Sequence, residues 1–337
     1  MVKTKSFLHS YETPRIIELA PNFFAAQFRL MKLLPARYML DRAEQNGLVR
    51  PGGHIVETSS GTFALALAML SAIRGYRLTI VSATSLMDHS FKSRLEQLGC
   101  TTKLVEDPCR TGNQDGRLAE LHRVLNEEPD AFWPRQYDNP DNPAAYSRLA
   151  ETIVDELGRI DCLVGCVGSG GSLCGTTRYL REIYPEMCAV AVDTNNSVLF
   201  GQQAGPRLLR GLGNSILPKN LNHCLIDEVH WIGALRAFAR TRNLFRDSAI
   251  FVGPTSGAAA LVGSWHARNA QNKTVVAIMA DEGYRYQSTV YCDDWLSSLS
   301  SEWPTIEKHE PTRLREISAA GENDWTCLNW ARRRLTP

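Results

Sequence analysis

The sequence predicts an α/β protein of two lobes, each a mostly parallel sheet covered by helices. Three observations predict it. Short apolar runs alternate with stretches of helical periodicity along most of the chain. The helical stretches near residues 75 and 99 each stop at a glycine. Three of the strand-to-helix junctions are built from glycine and hydroxyl residues. Parallel strands covered on both faces read as near-continuous apolar runs, which is the pattern here.

Taken in order, "HIVET" reads as a strand and "SSGTFALALAMLSAIRG" as the helix after it, ending at Gly75. "RLTIVSA" leads into "SLMDHSFKSRLEQLG", and "TTKLVE" is a third strand. "DNPDNPAAYSRLAETIVDEL" opens on turn residues and continues as a helix, a natural crossover. "DCLVGCVG" then enters "SGGSLCGTTRYLREIYP", and "CAVAVD", "SAIFVG" and "TVVAIMA" are further buried strands. One sheet is expected from about residue 50 to 110 and a second from near Asp161 to near Ala280. Past Trp295 the rhythm stops, and the aromatic tail predicts a short helix or two packed against the rest.

The bulk numbers exclude several classes. A chain of 337 residues can fill two cores. Apolar residues make up 44% and charged residues 22%, with a formal net charge of +1. That charge leaves no electrostatic footprint for nucleic acid or an acidic membrane. No apolar run is long enough to span a bilayer, and "MVKTKSFLHSYETPR" lacks the apolar core of a signal peptide. A cytoplasmic protein is expected. The nine cysteines are scattered. Cys162 and Cys166 lie on one apparent strand, with no second pair and no nearby histidine. They read as reduced core thiols, and no metal site is expected. No repeat of solenoid period is present.

Three junctions carry the chemistry. Gly168, Ser169, Gly170, Gly171 and Ser172 join a buried strand to a helix. Glycines let the backbone close around an anion, and the helix start offers unpaired N–H groups, so a phosphate fits; a tight turn would use the same residues. No Gly-Lys-Ser/Thr follows, and the spacing is not that of a dinucleotide fingerprint. Thr58, Ser59, Ser60 and Gly61 precede a second helix and could hold a carboxylate, or Ser59 or Ser60 could simply cap it. Thr255 and Ser256 stand at a third junction, where a neutral hydroxyl could meet a ring nitrogen or cap the helix.

In this order the three junctions resemble those of the fold-type II pyridoxal phosphate (PLP) enzymes, in the cysteine synthase and cystathionine β-synthase group. The resemblance runs from about Thr13 to Ser298. Ser59-Ser60-Gly61-Thr62 resembles the substrate-carboxylate loop, usually Thr-Ser-Gly-Asn. Gly168 to Ser172 resembles the phosphate loop Gly-Thr-Gly-Gly-Thr, and Gly253-Pro254-Thr255-Ser256-Gly257 the pyridine-nitrogen motif Gly-x-Ser-Ser-Gly. "LLRGLGNSILPKNL" and "RQYDNPDNP" resemble two further family segments. "VAVDTNNSVLFG" and "DEGYRYQSTVYCDDWL" look most like the N-(2-amino-2-carboxyethyl)-L-glutamate synthases of siderophore pathways, which join O-phospho-L-serine and L-glutamate.

The resemblance implies a large PLP-binding lobe of residues 1–31 and 147–296, a small mobile lobe of 32–146, and a C-terminal extension of 297–337. It implies a homodimer acting on small-molecule amino acids. The implied reaction is β-replacement on O-phospho-L-serine or O-acetyl-L-serine through an aminoacrylate, with an amine acceptor such as L-glutamate. A sulfide-using cysteine synthase, a dehydratase, and a PLP-fold protein that only binds a ligand or partner are the alternatives. Implied cofactor contacts are Thr62, Gly168, Ser169, Gly170, Gly171, Ser172 and Thr255; implied substrate contacts are Thr58, Ser59, Ser60, Gly61 and Gln136. Arg135, Arg207 and Arg210 are candidates for a phosphate or second carboxylate, and Tyr146 for the entrance.

The PLP lysine is implied at Lys32, with "FFAAQFRLM" as strand and "KLLPARYML" as helix. An amine among Leu30, Met31, Leu33 and Leu34 should have a depressed pKa; a lysine snorkelling from a helix edge would not. The family's Asn-Pro-Gly-Gly-Ser turn before the lysine is absent, Leu33-Leu34 replaces Asp-Arg, and Thr62 replaces an asparagine. So short a connection is expected to move the strand end or the helix start.

Overall fold

The computed structural model describes residues 7–109, 111–300, 303, 310–319 and 321–334. Its strands are β1 (Arg15–Ala20), β2 (Phe23–Gln27), β3 (His54–Thr58), β4 (Arg77–Ala83), β5 (Cys100–Val105), β6 (Cys162–Cys166), β7 (Cys188–Asp193), β8 (Glu228–Ile232), β9 (Val275–Met279), β10 (Thr312–Arg313) and β11 (Trp325–Asn329). The chain divides into two compact units, residues 1–31 with 146–337, and residues 32–145.

The 32–145 unit holds the parallel sheet β3-β4-β5. Ile55 pairs with Leu78, and Leu78 with Cys100. Val56, Val81, Leu121 and Val124 form a core here, with Trp133 packed on it. The helix Thr62–Arg74 is apolar nearly all round and largely buried, so it is a core helix and not a surface one. It ends at Gly75, whose φ of 72° is the left-handed cap that glycine adopts without strain. Asp88 caps His89–Gln97 by accepting from the Phe91 N–H at 2.9 Å.

The other unit holds an eight-stranded sheet in the order β1-β2-β9-β6-β7-β8-β11-β10. From β2 to β8 the neighbours run parallel, while β1 and β11 pair antiparallel with β2 and β8. The central strands are apolar and buried: Val164, Val190, Val192, Val276 and Ala277 are at 0% exposure. Helices Ala234–Ser248 and Pro254–Asn269 pack closely, since a Cβ at Gly257 would stand 2.0 Å from the Thr241 hydroxyl.

Two expectations are corrected. "SAIFVG" is not a strand: Ser248 ends a helix, Ala249 turns at φ 56°, and Val252 makes only an isolated bridge to Glu282. Ile250 and Val252 are buried because this stretch connects two packed helices, while Ser248 and Ala249 are exposed. The tail forms strands where short helices were expected, although its residues 301–302, 304–309, 320 and 335–337 lie outside the described residues. β11 seats Trp325 and Cys327 beside Ile232 and His230 of β8. The Trp325 indole N–H donates to His230 Nδ1 at 2.9 Å, so His230 Nε2 carries the proton and donates to Glu228 Oε1 at 2.9 Å. Glu228, His230 and Cys327 place ligand-type atoms within 4.8 Å of one another. Those hydrogen bonds occupy both ring nitrogens, which a metal ion would have to displace.

Candidate functional site

Two groups of the expected residues are gathered, each within its own unit. In the large-sheet unit, β6 runs through Val167 to Gly168, and Gly170 turns at φ 81° into the helix Gly171–Ile183. No side chain caps that helix. Its first-turn N–H groups therefore remain available to an anion, apart from a long 3.4 Å contact from Gly171 N to Ser169 Oγ. Ser169 and Ser172 are buried. The Thr176 and Thr177 hydroxyls on the same helix are buried without a partner among the described residues.

The segment around residues 211–214 closes over this loop. Asn214 Nδ2 donates to the Gly168 carbonyl at 3.4 Å, and Gly213 N to the Val167 carbonyl at 2.8 Å. A Cβ at Gly211 would stand 2.9 Å from Thr255 Cγ2, and one at Gly168 3.4 Å from the Gly211 carbonyl. The loop and Thr255 thus converge through Gly211. Thr255 is in the first turn of Pro254–Asn269, again with no side-chain cap, and Cys166 donates its thiol to the Thr255 carbonyl at 3.1 Å. Uncapped buried N–H groups, serines and a buried threonine suit a phosphate ester at one end and a neutral ring nitrogen at the other. These residues fit PLP.

In the 32–145 unit, Lys32 is the N-cap of the helix Leu33–Gln45, and its carbonyl accepts from Ala36 N at 3.2 Å. Burial alone lowers its amine from 10.5 to about 8. The missing turn is replaced by a chain that follows β9 past the end of β2. Phe28 N donates to the Met279 carbonyl at 2.9 Å and Met31 N to the Ala280 carbonyl at 2.8 Å, and the helix starts two residues later.

Ser59, Ser60 and Gly61 connect β3 to Thr62–Arg74, with Gly61 as N-cap and Thr62 as first residue. Neither serine caps the helix; among the described residues Ser59 Oγ accepts a long 3.5 Å contact from Gly61 N. The Thr58 hydroxyl is engaged within the unit, accepting from Arg117 Nη1 at 3.2 Å. Gln136 is buried, its N–H donating to Glu57 Oε2 at 3.3 Å and its carbonyl accepting from Asn142 Nδ2 at 2.5 Å.

Two buried charges here carry no motif in the sequence. Arg117 is 7% exposed and donates to neutral acceptors: the Gly112 carbonyl at 2.7 Å, Thr58 Oγ1 and Gln114 Oε1. Burial lowers its pKa. Glu57 is 1% exposed, and burial raises its carboxyl to about 7. The arginines suggested by the sequence are differently placed. Arg207 donates to the Asn196 carbonyl and to Ser215 Oγ, Arg210 is exposed, and Arg135 reaches Asp138 at 3.6 Å from a half-exposed position. Tyr146 is fully buried, and its hydroxyl has no partner among the described residues.

Comparison with known proteins agrees with this geometry. The family described as "Pyridoxal-phosphate dependent enzyme" matches residues 31–281. The N-(2-amino-2-carboxyethyl)-L-glutamate synthase of Ralstonia nicotianae is 35% identical over 274 residues, covering 79% of this chain and 80% of that protein. The enzyme of the same name from Cupriavidus metallidurans is 34% identical over 277 residues, with the same coverage. Among solved structures, a cysteine synthase from Entamoeba histolytica superposes with a TM-score of 0.79 at 26% identity, covering 88% of this chain and 96% of that one. A glycine loop on an uncapped helix, a threonine beside it, a buried lysine at a helix start and a family match across most of the chain lead to one assignment: the chain belongs to the pyridoxal-phosphate dependent enzymes, in the branch with the cysteine synthase fold.

Proposed function

We propose that the protein replaces a leaving group on Cβ of an activated L-serine, O-phospho-L-serine or O-acetyl-L-serine, with the amine of L-glutamate. The observation that carries this reading is the Lys32 amine, lowered to about 8 by burial alone. Such an amine is available as a base near neutral pH, as Schiff-base and proton-transfer lysines must be. The relatives named for the glutamate product supply the acceptor.

Bound PLP supplies electron withdrawal that stabilises negative charge at the substrate Cα. The protein's own residues do the rest. Gly168–Ser172 hold the phosphate by backbone N–H groups and by the Ser169 and Ser172 hydroxyls. Thr255 would offer a neutral hydroxyl to the ring nitrogen of bound PLP, which would leave that ring a weaker electron sink than a carboxylate partner would. That favours loss of a β leaving group over transamination. Lys32 takes and returns the Cα proton. Ser59, Ser60, Gly61 and Gln136 would bind the substrate carboxylate, and Thr62 would offer its hydroxyl as one hydrogen-bond donor toward bound PLP. Arg117, a buried cation hydrogen-bonded to neutral acceptors with the Asp107 and Glu57 carboxylates nearby, favours a second anionic group on a substrate, as in a phosphoserine or a glutamate.

A homodimer in the cytoplasm, serving siderophore-type synthesis, is part of the proposal; sedimentation tests the dimer. The enzymatic test has two stages. PLP added to the purified protein should give a yellow holoenzyme, and borohydride followed by mass spectrometry should place the pyridoxyl group on Lys32. The holoenzyme with O-phospho-L-serine or O-acetyl-L-serine should then convert L-glutamate to its N-(2-amino-2-carboxyethyl) derivative. Cysteine formed from sulfide, with no product from any amine, would instead favour the cysteine synthase reading suggested by the Entamoeba structure.

A further inference from the structure

Glu57 is a carboxylate buried to 1% exposure on β3, and among the described residues its hydrogen bonds all come from N–H groups. Its Oε1 accepts from the Thr58 backbone N–H at 2.8 Å and from the Trp133 indole N–H at 3.0 Å. Its Oε2 accepts from the Gln136 N–H at 3.3 Å. The Arg135 backbone N–H adds to the set. Arg135 turns at φ 56°, a left-handed conformation that side-chain-bearing residues avoid. Successive backbone N–H groups around such a turn form a concave anion site. Here the anion is supplied by the protein itself. A carboxylate kept in an apolar interior does not pay its way in stability. What it does geometrically is join two separate pieces of chain: the start of the Thr58–Gly61 loop, and the Trp133–Gln136 segment with its strained turn at Arg135.

We infer that Glu57 is a positioning residue for the substrate: its carboxylate holds the Thr58–Gly61 loop and Gln136 in one fixed arrangement, so that both meet the same substrate carboxylate. The inference rests on the reading of those residues as substrate contacts. Glu57 touches no substrate atom in it. The strain at Arg135 is maintained because the turn aims two N–H groups at the carboxylate, and without that anion the turn would relax and carry Gln136 with it.

The test is Glu57→Gln in the PLP-loaded enzyme at pH 8.5, above the Glu57 value of about 7 so that the wild-type carboxyl is ionised, since the amide keeps the shape but sets an NH2 group against backbone N–H groups. Titration with O-phospho-L-serine and O-acetyl-L-serine, read by the visible spectrum, gives donor affinity. The expected result is at least a tenfold loss of donor affinity and a matching rise in KM, with kcat within about threefold of wild type and PLP content unchanged. In an Arg135→Gly background the loss caused by Glu57→Gln should shrink at least threefold, because glycine adopts the turn without an anion to hold it. Donor affinity within twofold of wild type, or the same loss in both backgrounds, overturns the inference. Should Glu57→Gln not fold, Trp133→Phe removes one donor from the same carboxylate. A fall in donor affinity with kcat kept supports the clamp, and unchanged affinity overturns it. A wild-type holoenzyme whose spectrum responds to neither donor overturns the functional reading itself, an outcome distinct from an unmoved Glu57→Gln.

Discussion

At the scale of single residues, the chemistry depends on charges placed where water cannot help them. Lys32 has a folded pKa of about 8 against 10.5 in its ordinary state. The unfolded chain therefore binds its proton more tightly, so the stability associated with this residue is present above pH 10.5 and is lost as pH falls toward 8. Burying the protonated amine costs about 3 kcal/mol below that point. PLP-free Lys32→Met should accordingly be more stable than wild type at pH 7 by up to about that much, with the gap closing between pH 8 and 10.5 in urea titrations. An equal gap at pH 7 and pH 10 would mean that the amine is not desolvated. Arg117→Met should leave the fold intact, because the stem is already packed, and lower kcat/KM for the donor by at least about tenfold. Lysine at the same position should not restore it, since one ammonium cannot reproduce three divergent hydrogen bonds.

At the scale of elements, the useful parts are helix starts left without side-chain caps. The helices beginning at Thr62, Gly171 and Pro254 all lack one, and each follows a junction visible in the sequence. Gly170 shows how tightly one of these is built: at φ 81°, a Cβ there would stand 2.6 Å from the Leu221 backbone. Gly170→Ala should therefore displace the loop, weakening PLP binding by about tenfold or more in a spectroscopic titration and lowering the melting temperature. Strands such as "CAVAVD" and "TVVAIMA" coincide with β7 and β9 because near-continuous apolar runs have one way to be buried in a covered sheet. "EVHWI", which forms β8, was not legible as a strand. Its Glu228 and His230 break the run and are tolerated because they bond to each other and to Trp325. "SAIFVG" erred the other way, since an apolar connection between two packed helices has the composition of a strand.

At the scale of the whole molecule, the tail matters more than its composition suggests. Residues 325–329 extend the large sheet by pairing with β8, and Trp325 and Trp330 are almost fully buried. The Glu322 carboxylate accepts from Ala234 N at 3.1 Å and from Asn195 Nδ2 at 2.9 Å, tying the tail to a helix start and to the chain leaving β7. Trp325→Ala should cost about 3–5 kcal/mol in denaturant unfolding through the cavity and the lost indole bond to His230. A cost under about 1 kcal/mol would show the tail to be a passive cover. The sequence by itself determined the strand–helix rhythm, the three junctions and the lysine ahead of them, because those depend on local periodicity and on residue types with few conformational uses. Tertiary structure alone decided that Lys32 is desolvated, that Arg117 and Glu57 are buried beside the carboxylate-type loop, and that the tail is a strand. Desolvation and cross-chain hydrogen bonds depend on what distant segments bring to a residue, and a single stretch of sequence does not carry that.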